Sequence, residues 1–166
     1  MMKKVIIIGC PGSGKSTFAR AFNVITDLPL FHLDNMKWNS DKTAVSKATF
    51  MERLNNAIEK EKWIIDGNYG STMELRLQAC DTVFFLDYPV EVCLKGIEDR
   101  KGIERPDMPW FELLDENDDE FVSFIKNYNV TSKPKVMELL NKYNNKDVII
   151  FKSRKEATEY LNKIKE

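Results

Sequence analysis

Eight residues near the start of the chain, Gly9-Cys10-Pro11-Gly12-Ser13-Gly14-Lys15-Ser16, meet every fixed position of the pattern G-x-x-x-x-G-K-[ST]. Residues of these types at this spacing are suited to holding phosphate. Glycines let the main chain turn tightly and aim successive N–H groups inward at phosphate oxygens. A helix beginning at Lys15 adds its positive N-terminus. Lys15 then places a point charge on the β- and γ-phosphates of ATP, and Ser16 offers a hydroxyl to Mg²⁺. The expected nucleotide contacts are Gly9, Pro11, Gly12, Ser13, Gly14, Lys15, Ser16 and Thr17. Cys10, inside the loop, is either a small residue at a variable position or a thiol whose pKa the helix N-terminus depresses, as redox sensing would need.

The elements around the motif decide whether it is more than a chance match. Val5 to Ile8 reads as a buried strand, and a helix follows from about Lys15 to Asn23 with Phe18, Ala19 and Phe22 on one face. Further strands are expected at Leu30–Leu33, Trp63–Ile65, Val83–Leu86 and Val148–Phe151. Between them lie helical patterns at about Lys47–Lys60 and Val90–Asp99, through Phe121, Phe124, Ile125 and Tyr128, and from Pro134 to about Tyr143. Ser71 with Glu74, and Ser153 with Glu156, form capping-box patterns for two more. Continuously apolar strands alternating with helices imply an α/β fold: a parallel sheet covered on both faces. Lys101 to about Asp119 breaks the rhythm with Pro106, Pro109 and an acidic cluster, and is expected to be a loop or small insert.

Ligands of open parallel sheets bind beyond the carboxyl ends of the strands. Asp34, Asp66 and Asp87 are expected there, as carboxylates for Mg²⁺ and for a phosphate acceptor. His32 is expected to line the pocket or the core, and Trp38, Trp63 and Trp110 to serve packing, with Trp110 in position to cover a ligand.

Five segments carry a wider resemblance: His32-Leu33-Asp34, Asp66-Gly67-Asn68-Tyr69, Phe85-Leu86-Asp87-Tyr88-Pro89, Arg105-Pro106-Asp107-Met108 and Ser153-Arg154. With the phosphate loop, the chain resembles the adenylate kinase superfamily, and within it the FlaR-like "DNA topology modulation" proteins. The resemblance implies a P-loop NTPase fold with a five-stranded parallel sheet in the order 2-3-1-4-5, flanked by helices, and a small lid insert at about residues 100–120 within a single domain, 1–166. It implies that Asp66 neighbours Ser16 and acts on Mg²⁺, directly or through water. Asp34 would orient the acceptor or take its proton as a general base. Asn68 and Tyr69 would line the acceptor pocket. Asp87 is left between a structural and a site role.

Adenylate kinases proper carry Phe-Pro-Arg after Asp-Gly, where the arginine grips a monophosphate; Asn68-Tyr69-Gly70 stands here instead. Arg76, one turn into the next helix, either supplies that charge or is a solvated helix residue. Arg100 and Arg105 are the candidates for closing over the transferring phosphoryl group and excluding water. Gly96 stands where related kinases often stack an arginine on adenine. Ser153 and Arg154 begin the loop where adenine rests in this superfamily, although Ser153 is equally explained as a helix cap.

Bulk properties narrow the partners. Twenty-five basic and 26 acidic residues leave a net charge of −1, and 43 % of the 166 residues are hydrophobic. That balance carries no footprint for nucleic acid, and no helix-turn-helix, zinc finger or basic arm is visible. No apolar stretch approaches the roughly 20 residues that span a bilayer. The apolar run before Gly9 is too short for a secretory signal. Three cysteines at unrelated spacings and one histidine argue against a disulfide framework or a zinc site and favour a reduced, cytoplasmic setting. The guanine motif Asn-Lys-x-Asp is missing, for Asn145-Lys146-Asp147 puts its aspartate one place early. The residues thus point to ATP-dependent phosphoryl transfer to a small acceptor, such as a nucleotide or nucleoside. The alternative is a nucleotide-binding regulator without small-molecule kinase activity.

Overall fold

The computed structural model describes residues 2–39, 41, 43–99 and 119–166. Five strands form one sheet: β1 (Lys4–Gly9), β2 (Leu30–His32), β3 (Trp63–Asp66), β4 (Thr82–Leu86) and β5 (Asp147–Phe151). All four pairings are parallel, and the order is β2-β3-β1-β4-β5. Parallel neighbours need crossovers, and the crossovers here are helical. The helices are α1 (Lys15–Thr26), α2 (Leu33–Lys37), α3 (Lys47–Ile58), α4 (Gly70–Ala79), α5 (Val90–Asp99), α6 (Asp119–Lys126), α7 (Tyr128–Thr131), α8 (Lys133–Lys142) and α9 (Arg154–Lys165).

The central strands are apolar on both faces because both faces are covered. Val5, Ile7, Ile64, Phe84 and Leu86 pack with Phe18 and Phe22 of α1, Cys93 and Ile97 of α5, Tyr128 of α7 and Ala157 of α9. Ile6, Ile8, Ile65, Val83 and Phe85 point the other way, onto Leu54 of α3, Met73 and Leu77 of α4 and Leu140 of α8. The first core is rich in rings: Phe84 lies 5.2 Å from Phe18 and is stacked on Phe151 at 5.9 Å. Such ring pairs contribute about 0.5–1.5 kcal/mol each beyond the area they bury. They hold α1, and with it the phosphate loop, against the sheet.

Two local expectations shift. Strand β2 ends at His32, so Asp34 lies in the first turn of α2 rather than at a strand end. Helix α4 starts at Gly70 with Tyr69 as its cap, so Ser71 falls inside the helix. The cause is Arg76, whose guanidinium holds the preceding turn and sets where the helix begins.

Candidate functional site

The turns that leave the carboxyl ends of β1, β3 and β4 gather at one edge of the sheet. After β1 the chain runs through the phosphate loop into α1. Gly12 has φ 86° and Gly14, the cap of α1, has φ 97°, both in the left-handed region. No side chain caps α1, which leaves its first N–H groups for a ligand. Lys15 lies at the first helical position, its Nζ donating to the Cys10 carbonyl at 3.1 Å. The Ser13 hydroxyl is buried and has no hydrogen-bond partner. Pro11 is half-buried, and Gly9 closes β1.

The far side of the loop rests on α5. A Cβ on Gly12 would stand 2.0 Å from the Cys93 carbonyl oxygen, and one on Gly96 2.0 Å from the Gly12 carbonyl oxygen. Gly96 is therefore glycine because two main chains touch there. Arg154, first residue of α9, donates through Nη2 to the Gly12 carbonyl at 3.2 Å. It reaches the expected nucleotide site through the loop's own backbone. Ser153 caps α9 by accepting from the Glu156 N–H, and Glu156 in turn accepts from the Lys152 N–H at 2.6 Å. Cys10 and Cys93 meet beneath the loop. The Cys10 thiol hydrogen-bonds to Cys93 and is buried, and both effects push its pKa up. That is opposite to the depression a redox-sensing thiol at a helix N-terminus needs.

Ser16 and Thr17 both accept from Arg20, one turn on, at 2.5 and 3.4 Å. Asp66 ends β3 opposite Ile7 of β1 on one side and His32 of β2 on the other. That register brings His32 Nδ1 to 2.6 Å from Asp66 Oδ2, both side chains nearly buried. Among the described residues, no three His, Cys, Asp or Glu side chains converge as a metal site. The candidate oxygens for Mg²⁺ are those of Ser16 and Asp66.

The turn after Asp66 is held from behind. Arg76 is 0 % exposed. Its Nη1 donates to the Gly67 carbonyl at 3.0 Å, its Nη2 to those of Asn68 and Tyr69 at 3.0 Å each, and its Nε to Thr72 Oγ1 at 3.2 Å. Burial lowers its pKa to about 10, while the charges of Asp66 and Tyr69 work the other way. Arg76 is thus not a solvated residue: its guanidinium holds the backbone of the turn that carries Asn68 and Tyr69, the residues expected to line an acceptor pocket. Tyr69 donates its hydroxyl proton to Asp34 Oδ1, joining the turn to α2.

Asp87, after β4, is 5 % exposed and ion-paired with Lys133 at 2.8 Å and Lys152 at 2.5 Å. Burial pushes its carboxyl up, but hydrogen bonds and charge from the two lysines outweigh it, and its pKa lies below the usual 3.8. This is a structural carboxylate tying β4 to α8 and to the turn before α9. Arg100, Arg105 and Trp110 lie outside the described residues.

Several members of this site were not visible in the sequence. The spacing of Arg20 from Ser16, one helical turn, was a usable signal. The His32–Asp66 pair needed the strand register, and nothing local announced Lys133 and Lys152 as partners of Asp87 or Tyr128 as a neighbour of Asn68.

No family model matches the chain, and no curated protein matches it. Solved structures do. Shikimate kinase from Bacteroides thetaiotaomicron superposes with a TM-score of 0.59 at 18 % identity, over 99 % of this chain and 97 % of that one. The Aquifex aeolicus enzyme gives 0.54 at 19 %, over 96 % and 92 %. The Acinetobacter baumannii enzyme, solved in complex with shikimate, gives 0.58 at 16 %, over 99 % and 93 %. The five-stranded sheet with its helices on both sides is the P-loop kinase fold that these structures share.

Proposed function

We propose that this chain is an ATP-dependent phosphotransferase acting on a small acceptor. The observation that carries the reading is the phosphate loop itself. It pairs left-handed glycines and an uncapped helix start with a buried Ser13 hydroxyl that lacks a partner, which phosphate oxygens would complete. The likeness in fold to solved shikimate kinases, one of them in complex with shikimate, supports it.

In this reading the N–H groups that the loop and the first turn of α1 leave uncapped, together with the Lys15 ammonium, bind the phosphates and offset charge on the group in transfer. Arg154 keeps the loop in shape through Gly12. Mg²⁺ fits the donors present, since it is commonly bound through one or two protein oxygens together with phosphate and water. Ser16 and Asp66 would hold it, with Ser16 giving up its hydrogen bond from Arg20 and His32 fixing the carboxylate. Bound there, the ion supplies divalent charge across the phosphates. Asp34, which accepts a hydrogen bond from Tyr69, would take the acceptor's hydroxyl proton onto its own carboxylate. Arg100 and Arg105 keep the role of lid cations, and 1–166 is read as one domain in the cytoplasm without nucleic-acid or membrane partners.

The second reading, a nucleotide-binding regulator of the FlaR-like type, is favoured by the diversion of Arg76 away from any acceptor. One experiment separates the two. Saturating ATP with Mg²⁺ is expected to raise the melting midpoint by about 5–10 °C, as binding at a hundredfold over Kd contributes about 2.7 kcal/mol. ADP release is then followed across nucleosides, nucleotides, sugars and cyclic polyols. Acceptor-dependent turnover, lost by a factor of about 100 or more in Lys15→Ala, supports the transferase. Stabilisation by ATP without turnover on any acceptor leaves the regulator, and no stabilisation by ATP sinks both.

A further inference from the structure

Arg20 brings to the start of α1 a positive charge that the phosphate motif does not ask for. It lies in the second turn of the helix, four residues after Ser16 and three after Thr17. Side chains of a helix lean toward its N-terminus, so a long one at this position runs back along α1 to the loop. Residues three and four apart share one helix face, which puts both hydroxyls within its reach. Its Nη1 donates to Ser16 Oγ at 2.5 Å and its Nη2 to Thr17 Oγ1 at 3.4 Å. The shorter bond is partly buried and the longer one lies at the surface, so the firmer hold is on Ser16. Both partners are neutral, and among the described residues no carboxylate forms an ion pair with Arg20.

Ser16 is also one of the two side chains whose oxygens suit Mg²⁺. The guanidinium and the metal therefore call on the same atom. A hydroxyl has two acceptor lone pairs, so its geometry alone can serve both. Charge sets the limit. A metal on Ser16 Oγ would be separated from the guanidinium by that one oxygen, and a double and a single positive charge repel strongly at such a separation in a partly dry site. Asp66, the other candidate metal ligand, is paired with His32 at 2.6 Å and not with Arg20, so the carboxylate does not bridge the two cations. Neither cation can be ignored by the other, and the one already in place is Arg20.

We propose that Arg20 is a resident cation on the Ser16 hydroxyl, that it competes with Mg²⁺ for this oxygen, and that it thereby sets how strongly the loop prefers metal-bound over metal-free nucleoside triphosphate. A triphosphate arriving without metal finds a positive charge already beside the helix N-terminus. One arriving with Mg²⁺ must move the guanidinium off Ser16, and the cost of that step is subtracted from what the metal contributes. The proposal rests on the ATP and Mg²⁺ sites of the phosphotransferase reading and names the residue that tunes one against the other.

The test measures the affinity of the full chain for a fluorescent, non-hydrolysable ATP analogue twice, in EDTA and in saturating Mg²⁺. The ratio of the two affinities is the coupling between metal and nucleotide. In Arg20→Met, which keeps the length of the side chain but neither its charge nor its donors, the ratio is expected to shift toward the Mg²⁺ complex by about tenfold or more. In Arg20→Lys, which keeps the charge, it is expected to stay within about threefold of wild type. A purely structural role would weaken both affinities together and leave the ratio where it was. Arg20 is only half-buried, and melting midpoints without ligand check that each variant folds. Arg20→Gln, neutral but still a donor, is expected to shift the ratio in the same direction and stands in if the methionine variant is unstable. An unchanged ratio in the neutral variants overturns the proposal and leaves the ATP site standing. A ratio that moves away from Mg²⁺ overturns it as well, since Arg20 then holds Ser16 in place for the metal. Failure of the wild type to bind the analogue in either condition removes the nucleotide reading itself, and the proposal with it.

Discussion

At the scale of single residues, the main departure from expectation is Arg76. A lone arginine one turn into a helix is an ambiguous signal, because the sequence does not say which way the side chain runs. The fold sends it inward, where four hydrogen bonds offset the cost of burying a charge. Arg76→Leu is expected to cost about 2–4 kcal/mol in urea denaturation, since it strands the carbonyls of residues 67–69. Asp87 shows the same limit of local reading. Its partners are Lys133 and Lys152, 46 and 65 positions away along the chain, a pairing only the tertiary fold creates. A carboxyl whose folded-state pKa is lowered stabilises the fold above its ordinary value of 3.8 and loses this as pH falls through the folded value. Replacing both lysines with methionine is therefore expected to cost about 1–3 kcal/mol near neutral pH. The deficit should shrink as pH falls through the carboxylate range, which a denaturation series in pH would record.

At the scale of elements, the parts that declare themselves in the sequence are those governed by local rules. The strands were readable as apolar runs and α5 as a periodic face, and its expected bounds, Val90 to Asp99, are those observed. Strand ends and helix starts near the site were less readable, because long-range contacts set them: β2 stops where His32 meets Asp66, and α4 starts where Arg76 grips the turn. Gly96 is the clearest case. In sequence it is a missing stacking arginine; in the fold it is the place where α5 touches the phosphate loop. Gly96→Ala is expected to push the loop and helix apart and weaken ATP binding tenfold or more, measured with a fluorescent ATP analogue. An alanine in a helix is otherwise favourable by about 1 kcal/mol, so retained or tighter binding would show that the contact relaxes at no cost.

At the scale of the whole molecule, the sheet divides the chain into two cores, and that was legible because every central strand is apolar on both faces. The order of the strands was not in the residues. It came from resemblance, and the structure bears it out. The residues expected to face an acceptor were the least legible part, for Tyr69 of a turn and Asp34 of the short helix α2 are joined by a contact that only the fold creates. The joint between Gly12 and Gly96 has one further consequence, for protein engineering. By its pattern alone the eight-residue motif looks interchangeable with any other phosphate loop. In this chain the motif and the middle of α5 form a single spare part. A graft from a relative bearing a side chain at the position of Gly96 will fit only if that helix is transplanted with it.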